Sequence, residues 1–169
     1  MKNTVYIAIV ALATMFTISA TAQRRSEPTR KSDSIIDSVK TVYPSAVEIK
    51  PLNSIWNSIL DKKGKEIGYL FNSQEYGTDI WGYYEDVPTI VVTDKDNKIV
   101  KVAVVNSFET PSYLNKIYRS GFLKRWNGTD IKDASKRSVD AVTGATLTSE
   151  AVIENIKLIS DKSIANPIR

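Results

Sequence analysis

The sequence contains neither cysteine nor histidine among its 169 residues. Without cysteine the chain forms no disulfides, has no thiolate nucleophile and offers no iron–sulfur ligands, and without both residue types it holds no haem through their side chains. The lack of histidine also removes the commonest general base. Any redox chemistry on this chain must therefore come from an organic cofactor that is held without thiol or imidazole groups.

The overall composition is typical of one globular domain. Hydrophobic residues make up 42% of the chain, and 23 basic residues nearly balance 19 acidic ones, which gives a net charge of +4. The acidic residues are scattered among the basic ones, and the sequence shows no concentrated basic face. We therefore expect no nucleic-acid partner.

The N-terminus has the pattern of a targeting segment. Lys2 precedes an almost unbroken apolar run from Val5 to Ala20, and Ala20-Thr21-Ala22 matches the small-x-small pattern of a cleavage site. An uncleaved membrane anchor is the alternative, because the run approaches the roughly 20 residues that a spanning helix requires. Both interpretations place the folded part outside the cytoplasm after Sec-type export, either periplasmic or associated with the membrane.

These patterns divide the chain into three parts. We expect a signal peptide over residues 1–22, a polar linker over residues 23–31 and a single domain over residues 32–169. Within the domain, a first helix of about three turns is predicted from the helical spacing of apolar residues. Ser32 or Asp33 would cap this helix and Pro44 would end it.

The middle of the chain, from Ala46 to Thr110, is dominated by β signals. The segments "AVEIKPL", "SIWNSIL", "EIGYLF", "IWGYYEDVPTIVVTD" and "IVKVAVVNSFET" alternate or are rich in β-branched residues, and "TIVVTD–KDN–KIVKVAVV" reads as a hairpin. Helical spacing resumes in "PSYLNKIYRSGFLKRW" and again in "TSEAVIENIKLIS". The predicted fold class is α+β, a single domain with a twisted antiparallel sheet flanked by N- and C-terminal helices.

The stretch "VDAVTGATLTSEAV" crowds hydroxyl side chains around one turn before the last predicted helix. Helix capping explains part of this, because Thr148 or Ser149 would cap the helix and Glu150 would favour the positive end of its dipole. Capping does not explain Gly144-Ala145, which leaves the hydroxyl of Thr146 uncrowded. The amides of a helix N-terminus are also a natural seat for phosphate.

The segment "DAVTGAT" fits the pattern Asp-x-x-Ser/Thr-Gly-Ala-Thr that marks covalent flavin attachment in FMN-binding domains. The chain resembles the flavoprotein subunits of sodium-pumping NADH:quinone reductase and of the related ferredoxin-linked complex. This resemblance implies that Thr146 is joined to the FMN phosphate by a phosphoester bond, with Asp140, Thr143, Gly144 and Ala145 completing the motif. It also implies a dedicated transferase that uses FAD as the donor.

The resemblance extends upstream to cover roughly Glu66 to Ile159. The segments "EIGYLF" and "WGYY" are similar to family strands, and Glu109-Thr110-Pro111 occupies the position of a Glu-Thr-Pro loop beside the flavin. The resemblance implies that Glu109 and Thr110 hydrogen-bond the edge of the isoalloxazine ring. Ser112 departs from the glycine that the family is expected to have after the proline.

Several candidate residues have two interpretations from sequence. Asp140 is expected either to help bind metal or orient substrate during attachment, or to make an Asx turn. Thr143 would bind phosphate or cap a local turn, and Lys136-Arg137 would offset phosphate charge or lie in a solvated loop. One or two of five aromatic residues are expected to contact the flavin, the others packing in the core: Trp81, Tyr83, Tyr84, Phe108 and Tyr113.

The resemblance implies an extracytoplasmic electron-transfer protein rather than a complete enzyme. Its covalent FMN would accept electrons from a membrane-bound redox partner and pass them on. Two alternatives remain open at this point. One is a secreted flavoenzyme that reduces a small substrate directly, and the other is a binding module of the same fold without flavin.

Overall fold

The computed structural model describes residues 35–168. The predicted signal peptide and linker, and the predicted cap residues Ser32 and Asp33, lie outside the described residues. The helices are α1 (Ile35–Lys40), α2 (Pro111–Arg119) and α3 (Thr146–Ala165). The strands are β1 (Ala46–Pro51), β2 (Asn57–Asp61), β3 (Glu66–Asn72), β4 (Thr89–Thr93) and β5 (Ile99–Val104). Short 3₁₀ helices span Ser73–Glu75, Phe122–Trp126 and Ile131–Lys136.

The five strands form one antiparallel sheet in chain order, β1-β2-β3-β4-β5. The hairpin of β4 and β5 closes with Thr93 opposite Ile99. In its turn the Asp94 carboxylate accepts hydrogen bonds from the amides of Asp96 and Lys98, and Asn97 adopts φ 64°, a conformation that asparagine tolerates. The α+β fold class and this hairpin are confirmed as predicted.

The sheet is covered on both faces. A smaller cluster of buried aliphatic residues joins α1 to one face, with Val39, Ile59 and Ile90 fully buried. The larger cluster on the other face packs against α2, α3 and the 3₁₀ helices, and it holds most of the buried aromatic residues. Strand β4 is therefore buried at every position, as expected for a strand between two layers.

The boundaries of α2 and β4 differ from the sequence prediction. The helix predicted over Pro111 to Trp126 is broken, because Gly121 adopts φ 70° and ends α2 before a separate 3₁₀ helix begins. The strand predicted from Ile80 onward begins only at Thr89. Residues 81–86 form a loop closed by an isolated bridge between Trp81 and Asp86, and we call this segment the aromatic loop.

Candidate functional site

The last helix begins at Thr146, two residues before the start that the sequence predicts. Its N-cap is Ala145, which has no side chain able to accept a hydrogen bond from the first turn. The prediction that Thr148 or Ser149 caps the helix is therefore wrong, because both residues lie inside the first turn. The amides at this helix end consequently have no side-chain cap. They directly follow the turn of residues 142–145, which we call the motif turn.

The four hydroxyl residues of the stretch "VDAVTGATLTSEAV" separate into a buried pair and an exposed pair. Thr148 and Ser149 are fully buried, whereas Thr143 and Thr146 are exposed. The Ser149 hydroxyl accepts a hydrogen bond from the amide of Val142 at 2.9 Å and lies 2.9 Å from the carbonyl oxygen of Ala145. Ser149 therefore holds the turn to the helix from the inside. No hydrogen bond of the described residues involves the side chain of Thr143 or Thr146.

Gly144 lies in the left-handed region at φ 75°, which a residue with a side chain rarely adopts. The ammonium group of Lys116 donates a hydrogen bond to the Gly144 carbonyl at 2.9 Å. A Cβ atom at position 144 would lie 2.7 Å from that ammonium nitrogen. The absence of a side chain at Gly144 therefore gives a cation from α2 access to the motif turn.

Asp140, the first residue of the motif, is exposed. Its carbonyl oxygen accepts a hydrogen bond from the Arg125 guanidinium at 3.2 Å. Its carboxylate makes no Asx-type hydrogen bond in the described part of the chain, so this interpretation of Asp140 has no support from the geometry. Among residues 35–168 there is no group of three or more metal-ligating side chains that would hold a metal ion.

Glu109 is fully buried, and its carboxylate accepts several hydrogen bonds. One oxygen accepts from the amide of Tyr83 at 2.6 Å and from the hydroxyl of Thr148 at 3.0 Å, with the amide of Tyr84 at 3.5 Å. The other oxygen accepts from the amide of Thr110 at 2.7 Å. The Glu-Thr-Pro loop is thus joined directly to the aromatic loop and to the first turn of α3.

Thr110 is the N-cap residue of α2, and Pro111 occupies the first turn as the sequence predicts. The Thr110 side chain makes no capping hydrogen bond and is half-buried. Its hydroxyl is therefore not used by its own helix. The predicted flavin contacts of Glu109 and Thr110 stay predictions. In the structure, Glu109 is hydrogen-bonded to the first turn of α3, which follows the motif, and Thr110 is the next residue along the chain.

Four of the five candidate aromatic residues lie on the surface rather than in the core. Trp81, Tyr83, Tyr84 and Phe108 are between 60% and 67% exposed. Tyr113 is half-buried and packs edge-on against Tyr83 with ring centroids 5.0 Å apart. The Lys116 ammonium lies 5.8 Å from the Tyr113 ring centre, so aromatic residues, the cation and the motif turn are contiguous.

Two interactions at this site were missed by reasoning from the sequence. Lys116 is 28 positions before Gly144, and its only signal is its spacing of three from Tyr113, which places both on one face of α2. The bond between Thr148 and Glu109 joins residues 39 positions apart and has no local signal. The basic pair that the sequence suggested as phosphate-binding makes other contacts. Lys136 forms an ion pair with Asp133, and Arg137 donates a hydrogen bond to Thr129.

A separate groove of about 710 Å³ lies between α1, the edge strand β5 and the segment from Tyr118 to Asn127. Valine side chains and the stem of Lys101 form much of its wall. None of the predicted flavin-binding residues lines this groove. The groove and the motif turn are therefore different places on the molecule. No helix within residues 35–168 has the length and apolar character needed to cross a membrane.

Two comparisons with known proteins concern the region that contains this site. Residues 82–159 match the sequence model of the FMN-binding domain family. The chain is also similar to one component of the proton-translocating ferredoxin:NAD(+) oxidoreductase complex of Clostridium ljungdahlii, with 25% identity over 129 residues, or 72% of this chain and 67% of the relative. The family match contains Glu109, Thr110 and the whole of "DAVTGAT". The match over residues 82–159 confirms the resemblance to the FMN-binding domain family that the sequence predicts.

Proposed function

We propose that this chain is an extracytoplasmic electron-transfer protein whose FMN is attached by a phosphoester bond to the Thr146 hydroxyl. The observation that carries the proposal is the difference in burial between the hydroxyl residues at the start of α3. Thr146 is the exposed first residue of α3 in a complete "DAVTGAT" motif, and its hydroxyl is free of hydrogen bonds within the described chain. The nearby Thr148 and Ser149 are buried and already bonded.

The residues around Thr146 fit a phosphate group. The first turn of α3 offers backbone amides without a side-chain cap, which favours an anion. Lys116 adds a positive charge at the carbonyl of Gly144, two residues before Thr146 and at most ~7 Å away along the backbone. Because Gly144 has no Cβ, the ammonium group of Lys116 can approach this carbonyl without a steric clash. Lys116 lies near both Thr143 and Thr146, whereas the uncapped helix amides support Thr146, which is the first residue of α3.

Attachment by a transferase that uses FAD is balanced without any redox change. The Thr146 oxygen forms a bond to the FMN-side phosphorus, the pyrophosphate bond of FAD breaks, and AMP leaves. The hydroxyl proton passes to a base of the transferase, because this chain has no histidine and no carboxylate of its described part is hydrogen-bonded to Thr146. The contribution of this chain is to present an accessible hydroxyl beside a cation and the helix end.

FMN, when bound, supplies one- and two-electron transfer that needs no acid or base from the protein. The residues of this chain would hold and surround it. Thr110 has a hydroxyl that its own helix does not use, and the aromatic loop presents ring faces next to the motif turn. A covalent tether keeps the cofactor at a high effective concentration, which suits a compartment where free flavin is scarce.

The proposed location and partners rest on the sequence and on the relative. The targeting pattern of residues 1–22 supports export, and the relative is named as a component of a redox complex. We therefore propose that a membrane-bound reductase donates electrons to this chain. The separate groove beside β5 gives no support to a small-substrate enzyme at the flavin site, since none of the predicted flavin-binding residues lines it.

The test is co-production of the full chain with a flavin transferase, followed by a denaturing gel and intact mass. We expect a yellow protein, a flavin-fluorescent band and a mass increase of one FMN minus water. Thr146→Ala is expected to be dark and unmodified while remaining folded. A colourless wild-type protein would instead favour a flavin-free binding module, and fluorescence retained in Thr146→Ala would move the attachment to Thr143.

A further inference from the structure

The aromatic loop and the first turn of α3 belong to distant parts of the chain, yet one side chain contacts both. Glu109 accepts hydrogen bonds from the amides of Tyr83 and Tyr84 on one side and from the Thr148 hydroxyl on the other. Its own amide donates to the buried hydroxyl of Ser107, which fixes the backbone at this position. The carboxylate is fully buried, and a buried charge requires such hydrogen bonds to remain stable.

The aromatic loop packs tightly against the Glu109 carboxylate. A Cβ atom on Gly82 would overlap one carboxylate oxygen of Glu109 and would also collide with a methyl group of Val87. The aromatic loop therefore approaches Glu109 as closely as a glycine backbone permits. The loop backbone is set by the carboxylate, although the ring side chains of Trp81, Tyr83 and Tyr84 remain exposed.

We propose that Glu109 is a positioning residue that acts through Thr148. It holds the first turn of α3, and with it Thr146, at a set position relative to the aromatic loop. This role rests on the proposed function, because it matters for the flavin only if Thr146 is the attachment residue. It differs from a direct contact with the isoalloxazine ring, since the carboxylate oxygens point to donors of the protein itself.

The decisive substitution is Thr148→Val, which removes the hydroxyl donor and keeps the branched shape of the side chain. Its matched partner is Thr148→Ser, which retains the hydroxyl donor. Ser163→Ala is the control, because Ser163 is equally buried on α3 and its hydroxyl bonds only within the helix, to the Ser160 carbonyl. None of these substitutions alters a residue of the aromatic loop, and the Glu109 carboxylate is hydrogen-bonded both to Thr148 and to that loop.

The first measurement is hydrogen exchange at the amides of Tyr83 and Tyr84 in the full chain produced without the transferase. Thr148→Val is expected to accelerate exchange at these amides about tenfold. The reason is that Glu109, which accepts their hydrogen bonds, loses the hydrogen bond from Thr148 to the same carboxylate oxygen. Thr148→Ser and Ser163→Ala should exchange at the wild-type rate. The proposal is overturned if Thr148→Val leaves the exchange of both amides unchanged while urea unfolding shows that the variant is folded.

The second measurement is the initial rate of flavin attachment with purified transferase, followed by intact mass. We expect a decrease of about tenfold in Thr148→Val, the same factor as in exchange, and a wild-type rate in Thr148→Ser. An equal rate in Thr148→Val and wild type would overturn the positioning of Thr146. The two proposals fail separately, because a wild-type chain that accepts no flavin would refute the proposed function and leave the exchange result standing.

Discussion

Thr146 and Thr148 are two residues apart on one helix, yet their surroundings are opposite. Thr146 is exposed and its hydroxyl has no bond within the described chain, whereas Thr148 is fully buried and donates to Glu109 at 3.0 Å. The helical repeat explains the difference, because positions two apart point to nearly opposite faces. The same residue type is thus available for chemistry on one face and holds the fold together on the other.

The tyrosine hydroxyls show the same contrast between two regions. Tyr69 and Tyr76 lie within or against the core, and burial raises the pKa of both, that of Tyr69 to about 12. Tyr83 and Tyr84 in the aromatic loop are at least 60% exposed. Burial, rather than residue type, therefore decides whether a tyrosine hydroxyl in this protein is removed from solvent or remains available to a ligand.

The largest effect on stability is expected from Ser149→Ala. This change removes the hydroxyl that the Val142 amide donates to and leaves that half-buried amide without its partner. We expect a loss of about 1–3 kcal/mol in the free energy of unfolding, measured by urea denaturation. The exposed counterpart Thr143→Ala should change stability by less than about 0.5 kcal/mol. Equal losses in the two variants would remove the distinction between the buried and exposed pairs.

A smaller effect is expected from Lys116→Met, which removes the cation at the Gly144 carbonyl and retains most of the side-chain length. The rate of flavin attachment should fall about two- to fivefold, the size expected for an exposed charge interaction of about 0.5–1 kcal/mol. Lys124→Met is the control, since Lys124 is equally exposed but lines the groove beside β5. The difference should shrink as salt is added. Identical behaviour of the two variants would show that Lys116 has no part in attachment.

The smallest effect is expected from Tyr69→Phe, and it is identified by a change in how stability depends on pH in the alkaline range. Burial, and then the hydrogen bond to Glu66, raise the pKa of Tyr69 to about 12 in the folded chain, against about 10 when unfolded. The stabilising contribution of the Tyr69 hydroxyl to the free energy of unfolding is therefore fully present below pH about 10 and is lost as the pH rises through about 12. The free energy of unfolding of Tyr69→Phe, measured in urea, should fall less than that of wild type over that interval. Tyr84→Phe, which alters an exposed ring, should follow wild type.

Local patterns were enough to predict most of the fold. The β-branched runs on both sides of "DKDN" predicted the hairpin of β4 and β5, and Pro111 predicted the start of α2. The aromatic loop was wrongly predicted as strand, because aromatic residues have high β propensity whether they pack or remain exposed. The break of α2 at Gly121 depends on a left-handed backbone that tertiary packing selects, and propensity alone does not reveal it.

The motif could be recognised from the sequence, but the long-range contacts of the residues around it could not be predicted. "DAVTGAT" is contiguous, so its spacing and likeness to a family were enough to predict Thr146 as the attachment residue. The sequence predicted Glu109 near the same site through family resemblance alone, and gave no reason to pair it with Thr148. Long-range contacts such as Lys116 with Gly144 depend on how the sheet brings α2 beside α3. Patterns in a single sequence indicate local structure and do not reveal that α2 and α3 are brought together.

The most direct test of the central claim is the mass of the tryptic peptide from Ser138 to Lys157, taken from chain co-produced with the transferase. This peptide contains the two threonines of the motif and the two hydroxyl residues that follow it: Thr143, Thr146, Thr148 and Ser149. We predict that it is heavier by one FMN minus water and that fragmentation places the addition on Thr146. An unmodified peptide, or an addition on one of the other three residues, would contradict the account.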